Sequence, residues 1–295
     1  MLTRIALRRE RNSNSIVLLL TTQTIQISAR KSIELLISDK TSVRIYMSNN
    51  TPLLESKLRL LSKQSAERSE ILIEDATSIS ELSDASLIFS SLWGGTNQER
   101  YASTDLLKAL VHSGGHVGVA YSATYREAVA ASLAFPGKDK ETAFLHSDLL
   151  GVLDGHRGCG IGYAMKLHQA AWSVENNYSE IRWTYDPLIT RNAYFNFCKL
   201  GVEWVKFLPE FYSEGAEGDR FLVKWQPSNV ISNLVAEPTR FLFREAESAS
   251  TEVVYLPISA LTTPEMHNKL EQLVLLGFHL AGVNEALEYA WVKRI

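Results

Sequence analysis

Seven residues near the middle of the chain have the types and spacing of an anion-binding turn: His156-Arg157-Gly158-Cys159-Gly160-Ile161-Gly162. The three glycines leave the main chain without β-carbons where a predicted strand enters a predicted helix. Consecutive N–H groups and the positive end of that helix can therefore face an anion. Arg157 adds a positive charge beside them, so the segment predicts a pyrophosphate site.

Two other interpretations compete for this turn. A dinucleotide fingerprint needs its third glycine one residue later, where this chain has Tyr163. The strand before such a fingerprint should also be nearly all apolar, whereas the predicted strand here contains the polar residues 146–148. Asp186, at the end of the next predicted strand, keeps that interpretation open. The second alternative is structural, with Gly160 and Gly162 only allowing close packing of helix on strand. A P-loop is excluded because no Gly-Lys-Ser/Thr follows.

Apolar periodicity predicts the elements that position this turn, in the order β, α, α, β, β, β, α, β, α, β, β. Pro136-Gly137 is predicted as the turn that closes the third strand. The predicted strands are 71–74, 116–121, 127–135, 142–152, 180–185, 202–207 and 219–225, and the predicted helices are 78–92, 105–111, 161–175 and 192–200.

Composition divides the chain into three parts. Residues 1–67 are rich in Arg, Ser, Thr and Asn, which predicts a poorly ordered extension; an organellar transit peptide and a signal peptide are the alternatives. Residues 68–227 form the predicted α/β domain. Residues 228–295 are predicted to be a small β-α-β appendage, with strands at 252–256 and 287–292 around a helix at 264–276.

Charge and cysteine content restrict the partners. Residues 1–70 hold 12 Lys/Arg and 6 Asp/Glu, whereas residues 71–295 hold 18 and 27, so the acidic body disfavours nucleic acid as a partner. Cys159 and Cys198 have no metal-ligand spacing, which favours a reducing cytoplasm and no structural metal. The apolar run 16–20 is too short to span a membrane, so no membrane association is expected.

The segment from Val152 through Arg157-Gly158-Cys159-Gly160-Ile161-Gly162 resembles the acetyl-CoA motif of the GNAT superfamily of N-acetyltransferases. The resemblance covers roughly residues 71–226. Segments 183–188, 192–196, 199–201 and 219–221 are similar to a branch of poorly characterised GNAT-like acetyltransferases. The resemblance to the superfamily implies a mixed sheet with flanking helices, and acetyl-CoA as co-substrate. It also implies cofactor-binding positions at Leu150, Gly151, Val152, Arg157 through Gly162 and Asn192.

Within this resemblance, the main chain of Gly151 and Val152 should pair with pantetheine, and the acetyl group should lie between the strands that end at Val152 and Asp186. By analogy, the N–H of Val152 is the candidate donor to the oxyanion. Many members of the superfamily protonate the thiolate with a tyrosine at the position of Phe197. Tyr194 or Tyr185 is therefore expected to serve, or the thiolate leaves unprotonated.

Alternation along the strand predicts His146, Asp148, Leu150 and Val152 on one face and Ser147, Leu149 and Gly151 on the other. His146 is the candidate general base, because its ordinary pKa is near neutral pH. Asp148 would orient it or bind the amine, and Asp186 would hold a cationic substrate or cap the following segment. For each residue, a packing or capping role is the alternative.

The sequence thus predicts transfer of an acetyl or short acyl group from acetyl-CoA to an amine of a small molecule or peptide, without a metal. The alternative is a non-catalytic acyl-CoA-binding sensor or interaction module with the same fold, and Phe197 is the feature that favours it. The acceptor and the oligomeric state stay open, with a homodimer allowed.

Overall fold

The computed structural model of the chain describes residues 7–9, 16–19, 34–39, 42–46, 51–94, 101–140, 142–233, 242–243 and 251–294. They fall into two units, Met1–Leu53 and Leu54–Ile295. The first unit contains a four-stranded antiparallel sheet in the order β1-β2-β4-β3, built from β1 (Leu7–Arg9), β2 (Ile16–Leu19), β3 (Glu34–Asp39) and β4 (Ser42–Tyr46).

Helix α1 (Thr51–Arg68) precedes residue 68, where the sequence predicts that the α/β domain starts, and from Leu54 onward it belongs to the second unit. Leu58 is fully buried in the main core, and Ala66 is buried in a cluster with Ile161 and Ala164. The polar composition of residues 51–67 is the reason that the sequence pattern places them in the N-terminal extension. The other residues predicted as extension, beyond the four strands, lie outside the described part of the chain.

A seven-stranded mixed sheet forms the centre of the second unit, in the order β10-β11-β9-β8-β7-β6-β5. Its strands are β5 (Ile71–Asp75), β6 (His116–Ser122), β7 (Ala128–Asp139), β8 (Thr142–Val152), β9 (Ile181–Tyr185), β10 (Glu203–Leu208) and β11 (Arg220–Trp225). All neighbouring strands are antiparallel except β8 and β9, which are parallel. The predicted α/β class and mixed sheet are confirmed.

Helices cover both faces of this sheet. They are α2 (Ile79–Trp93), α3 (Thr104–His112), α4 (Ile161–Glu175) and α5 (Thr190–Ala193), the last continuing as a π-helical segment, Tyr194–Leu200. A capping box of Ser78 and Glu81 starts α2, as the sequence pattern favours. Residues of α2 and α3 pack with one face of β6 and β7, and residues of α1 and α4 pack with the other. The predicted order of elements is confirmed.

Strand β7 is longer than predicted, so the predicted turn at Pro136-Gly137 is wrong. The ladder to β8 continues to Asp139↔Thr142. Beyond Ala134, β7 has no partner on its β6 side, so the missing N–H of Pro136 breaks no ladder there. A β-carbon at Gly137 would lie 2.4 Å from the ring of Phe144, so glycine leaves room for that ring.

The C-terminal part is β-α-β-β rather than β-α-β, preceded by a short helix. It comprises α6 (Pro227–Asn233), β12 (Thr251–Pro257), α7 (Thr263–Leu275), β13 (His279–Val283) and β14 (Glu288–Arg294), with sheet order β12-β14-β13. It packs on the main core, where Trp291 and Tyr289 are fully buried against Phe221. Strand β13 was missed because it is short and its hairpin turn contains no Asn-Gly or Asp-Gly signal.

Among the described helices, none has both the length and the apolar character needed to cross a membrane.

Candidate functional site

The parallel strands β8 and β9 separate soon after they meet. They pair only at Leu145↔Ile181 and His146↔Arg182, supported by the N–H of Leu145 donating to the carbonyl of Glu180 at 3.0 Å. Strand β8 then continues to Val152 without β9 beside it. The two strands therefore separate on the side where the resemblance implies the acetyl group, and one edge of β8 is open over six residues.

A β-bulge at Asp148 changes which residues of β8 share a face. The register to β7 runs Leu133↔Leu149 and then Ala134↔Ser147, so Asp148 is the extra residue. The predicted strict alternation is therefore wrong beyond this position.

Contacts of the flanking residues show the result of the bulge. Leu150 and Val152 pack with α4, on the same side as Ser147, which contacts Lys166 of α4. Leu149 packs with α2 and α3, and Gly151 lies against the end of α2. The predicted grouping of Leu150 and Val152 with His146 is thus corrected, because the extra residue exchanges the two faces.

His146 and Asp148 do lie together, as predicted. His146 Nε2 is 3.8 Å from Asp148 Oδ1, and the His146 ring contacts Phe135 and Phe144. Burial lowers the pKa of His146, against the opposing charge of Asp148, and burial raises the pKa of Asp148. A neutral imidazole next to a carboxylate can accept a proton near neutral pH.

The glycine turn presents unpaired main-chain donors. Gly158 and Gly160 have φ of +84° and +87°, in the left-handed region that favours glycine, and Gly160 is the N-cap of α4. Within the part of the chain that the structure describes, none of the N–H groups of residues 157–162 donates to a protein acceptor. Residues 157–160 are exposed. An anion can therefore accept from them.

These donors line a cleft of about 500 Å³. Its walls are the end of β8, the glycine turn, the start of α4 and the segment around α5, and it includes the predicted residues Leu150, Gly151, Val152, Arg157, Gly158, Gly160, Ile161, Gly162, Asn192 and Tyr194. Cys159 is exposed on the same turn but does not line it.

Positive charge collects in this cleft although the body of the chain is acidic. Arg157, Arg191 and Lys199 line it, and no Asp or Glu is among the described lining residues. A cationic concavity in an acidic surface focuses the field on an anionic ligand. The side chain of Arg157 also holds the turn in place, because Nε donates to the carbonyl of Val152 at 3.0 Å and a terminal nitrogen contacts Asp154 at 2.6 Å.

The open edge of β8 directs main-chain groups at the cleft. Leu153 donates its N–H to the carbonyl of Val129 on β7 at 2.9 Å. Since successive N–H groups along a strand point to opposite sides, those of Val152 and Leu150 point into the gap that β9 leaves. Among the described residues neither has a partner, so both can pair with an extended ligand, as the resemblance implies for Val152. The N–H of Gly151 points toward β7 instead, so the expected pairing of Gly151 with pantetheine is corrected.

The predicted acids fall in different environments. Tyr185 is fully buried and its hydroxyl shares a hydrogen bond of 3.2 Å with Tyr289, whose own hydroxyl donates to the carbonyl of Pro187. Burial raises the pKa of Tyr185 well above its usual value, so its candidacy as the thiolate acid is corrected. Phe197 is buried in the core, whereas Tyr194 is partly exposed and lines the cleft.

Asp186 is not brought to the cleft. Its Oδ1 accepts the N–H of Leu188 at 2.8 Å, which is the capping role given as the alternative.

Sequence reasoning missed several residues at this site. Leu92 and Trp93 of α2 line the cleft and approach β8 only because Gly151 has no side chain; a β-carbon there would lie 2.2 Å from Leu92. Arg191 carries no motif signal other than its charge. Lys199 lies in segment 199–201 of the resemblance, which assigns it no binding role. Lys166 carries no motif signal, yet it is buried at the point where β8 and β9 separate.

A second polar cluster lies between β5, β6 and α4. The Nε2 atoms of His116 and His168 contact the same Asp75 oxygen at 2.8 and 2.6 Å. Burial alone would raise the pKa of Asp75, but these hydrogen bonds outweigh it and hold that pKa well below its usual range.

The residue types of this cluster are those of a metal site, and all three ligand atoms lie within 4.8 Å of one another. Metal binding at Nε2 would require a proton on each Nδ1 and an acceptor for it. The Nδ1 of His168 instead faces Arg59 at 3.4 Å, and that of buried His116 has no partner among the described residues. The surroundings fit a hydrogen-bonded carboxylate with two imidazoles better than a metal.

Comparison with solved structures finds similar folds over about half of the chain. Naa50 of Arabidopsis thaliana, in complex with a bisubstrate analogue, is 19% identical, with 52% of this chain and 97% of that chain covered and a TM-score of 0.42. The ribosomal-protein-S5-alanine acetyltransferase of Vibrio fischeri is 15% identical, with 54% and 94% covered and a TM-score of 0.43. A GNAT family acetyltransferase of Elizabethkingia anophelis with acetyl-CoA bound is 18% identical, with 53% and 98% covered and a TM-score of 0.39. No protein-family model and no curated protein matches the chain.

Proposed function

We propose that this protein is a CoA-dependent N-acyltransferase that moves an acetyl or short acyl group to a primary amine. The observation that carries the proposal is the continuous path from the unpaired amides of residues 157–162, along the open edge of β8, to the gap beside β9. The three cations of the cleft match the phosphates of CoA. The main chain of Leu150 and Val152 would pair with the pantetheine arm.

In this proposal the acceptor amine attacks the thioester carbon directly. A lysine-like amine with a pKa near 10.4 is neutral in only about one molecule in 2,500 at pH 7, a handicap of about 4–5 kcal/mol. His146 would take the amine proton, directly or through water, with Asp148 beside it. The N–H of Val152 would donate to the oxyanion, and Tyr194 would protonate the departing thiolate.

Titration calorimetry with CoA and NAD in parallel tests the cleft, and we expect CoA to bind and NAD not to. Incubation with labelled acetyl-CoA and a panel of amines and peptides tests turnover. Binding of acetyl-CoA without transfer to any acceptor would contradict the enzyme and leave the acyl-CoA-binding module. That alternative is supported by Phe197, which removes the usual acid. Binding of NAD alone would contradict both.

A further inference from the structure

Lys166 is buried behind the inner wall of the cleft and does not itself line it. The cleft wall includes Gly162 and Leu150, which face each other: a β-carbon at Gly162 would lie 3.7 Å from Leu150. One helical turn deeper, about 6 Å along α4, Lys166 Nζ donates to Ser147 Oγ at 2.8 Å. Nζ also lies 3.7 Å from the ring centroid of Trp183 on β9. Lys166 therefore spans the two strands immediately past their last paired residues.

Within the part of the chain that the structure describes, the surroundings of this lysine contain no anion. Its remaining contact is a long one of 3.4 Å to Oε1 of Gln169. Burial is the sole cause that lowers the pKa of Lys166, to about 7, and no carboxylate of the described residues forms an ion pair with it. A wholly buried ammonium without a counter-ion is expensive in free energy, and native proteins pair such charges.

A second buried donor lies beside it. Gln169 is fully buried, and its Nε2 has no hydrogen-bond partner among the described residues. Buried side-chain donors are nearly always satisfied. Among these residues, the amide donor of Gln169 thus lacks an acceptor, and Lys166 has neutral oxygens and the Trp183 ring around its charge but no anion. A carboxylate supplies an acceptor for the amide and a counter-ion for the ammonium.

We propose that Lys166 and Gln169 form a subsite for a carboxylate at the far end of the acyl group, so that the preferred donors are ω-carboxyacyl thioesters of CoA. This inference rests on the proposed function, since it places the acyl group in the gap between β8 and β9. An acetyl group beside Leu150 ends short of Lys166. A four-carbon dicarboxylic acyl chain extends about 4 Å further. A hydrogen bond of about 2.8 Å from its carboxylate to Nζ would cover the rest of the separation between Gly162 and Lys166.

The test compares CoA, butyryl-CoA and succinyl-CoA by titration calorimetry. Butyryl and succinyl groups have the same number of carbons and differ in the terminal carboxylate. We expect the wild-type protein to bind succinyl-CoA about tenfold or more tightly than butyryl-CoA. Lys166→Met keeps the length of the side chain without its charge, and it should abolish or reverse that preference. Gln169→Leu should reduce it.

The ratio of the two thioester affinities is the readout, so a general loss of affinity in a variant does not imitate the result. Thermal unfolding confirms that each variant is folded. Equal or tighter binding of butyryl-CoA by the wild type, or an unchanged preference in Lys166→Met, would overturn the carboxylate subsite while leaving the CoA site intact. Failure of free CoA to bind would remove the proposed function itself, and the subsite with it.

Discussion

Lys166 lies on the opposite side of β8 from His146, at the level where β9 separates from it. Ser147, next to His146 in sequence, points to Lys166 because neighbouring residues of a strand face opposite layers. The two basic side chains are close enough for the charge of Lys166 to contribute to the lowered pKa of His146. The gap that should receive the acyl group is therefore flanked by one titratable base on each face of the sheet.

Removing His146 should separate chemistry from binding. We expect His146→Gln to lower kcat by about a hundredfold or more, with the Kd for CoA unchanged, because His146 does not line the cleft. The wild-type rate should rise with pH through the lowered pKa of His146. Asp148→Asn should move that rise to lower pH, because the charge of Asp148 raises the pKa of His146. Unchanged turnover in His146→Gln would exclude this base.

The glycine turn offers a matched pair of substitutions. Gly160 and Gly155 both have φ of +87°, but only Gly160 lines the cleft. Gly160→Val should lower CoA affinity by about a hundredfold, because a β-branched residue cannot hold this φ and the amides around it must move. Gly155→Val bears the same local strain and should change affinity far less. Equal losses of CoA affinity in the two variants, measured by calorimetry, would mean that strain in the loop, rather than the main-chain N–H groups of residues 157–162, controls binding.

The cleft cations should act through charge. Arg191→Gln and Lys199→Gln should each weaken CoA binding several-fold, and the loss should shrink as salt rises, because screening weakens exposed charge pairs. Lys138→Gln, an exposed position on β7 outside the cleft, is the control. Titrations at low and high ionic strength provide the measurement. A loss that does not depend on salt would contradict an electrostatic role.

Local patterns were sufficient to predict the elements and the glycine turn, whereas the details of the site depend on tertiary contacts. The bulge at Asp148 adds one residue, but the pattern of polar and apolar residues in the sequence does not reveal it. The faces of Leu150 and Val152 could therefore not be assigned from the sequence. Tyr185 resembles an accessible acid until Tyr289, 104 residues away, is placed against it. Lys166 is a charged residue in a helix that the sequence pattern does not mark as buried on that side, and its burial follows only from its contacts with Ser147 and Trp183.

A buried carboxylate attaches α7 to the loop after β10. His267 Nδ1 lies 2.7 Å from Asp219 Oδ2, and Glu271 and Glu210 add negative charge. The hydrogen bond to Asp219 raises the pKa of His267 above its unfolded value near 6.5. Its stabilisation is therefore full below about pH 6.5 and is lost as the pH rises through the folded pKa.

We accordingly expect His267→Gln to destabilise the protein at pH 6 by about 1 kcal/mol, a modest value because solvent screens the pair. The difference in the free energy of unfolding between this variant and the wild type should decrease toward pH 9. Thermal unfolding at several pH values measures this difference, and His279→Gln, at an exposed position of β13, is the control. A destabilisation that grows with pH would contradict the assigned ion pair.

Lys166 should make the opposite contribution to stability. Burial lowers its folded pKa to about 7, against about 10.4 in the unfolded chain, so the folded state binds fewer protons between these values. The resulting destabilisation is complete below about pH 7 and is relieved as the pH rises toward 10. Lys166→Met should therefore be more stable than wild type at pH 6, by about 1–4 kcal/mol, and the gain should shrink by pH 10. Urea unfolding of both proteins across this pH range measures the gain in stability. A gain that does not depend on pH would show that Lys166 keeps an ordinary pKa.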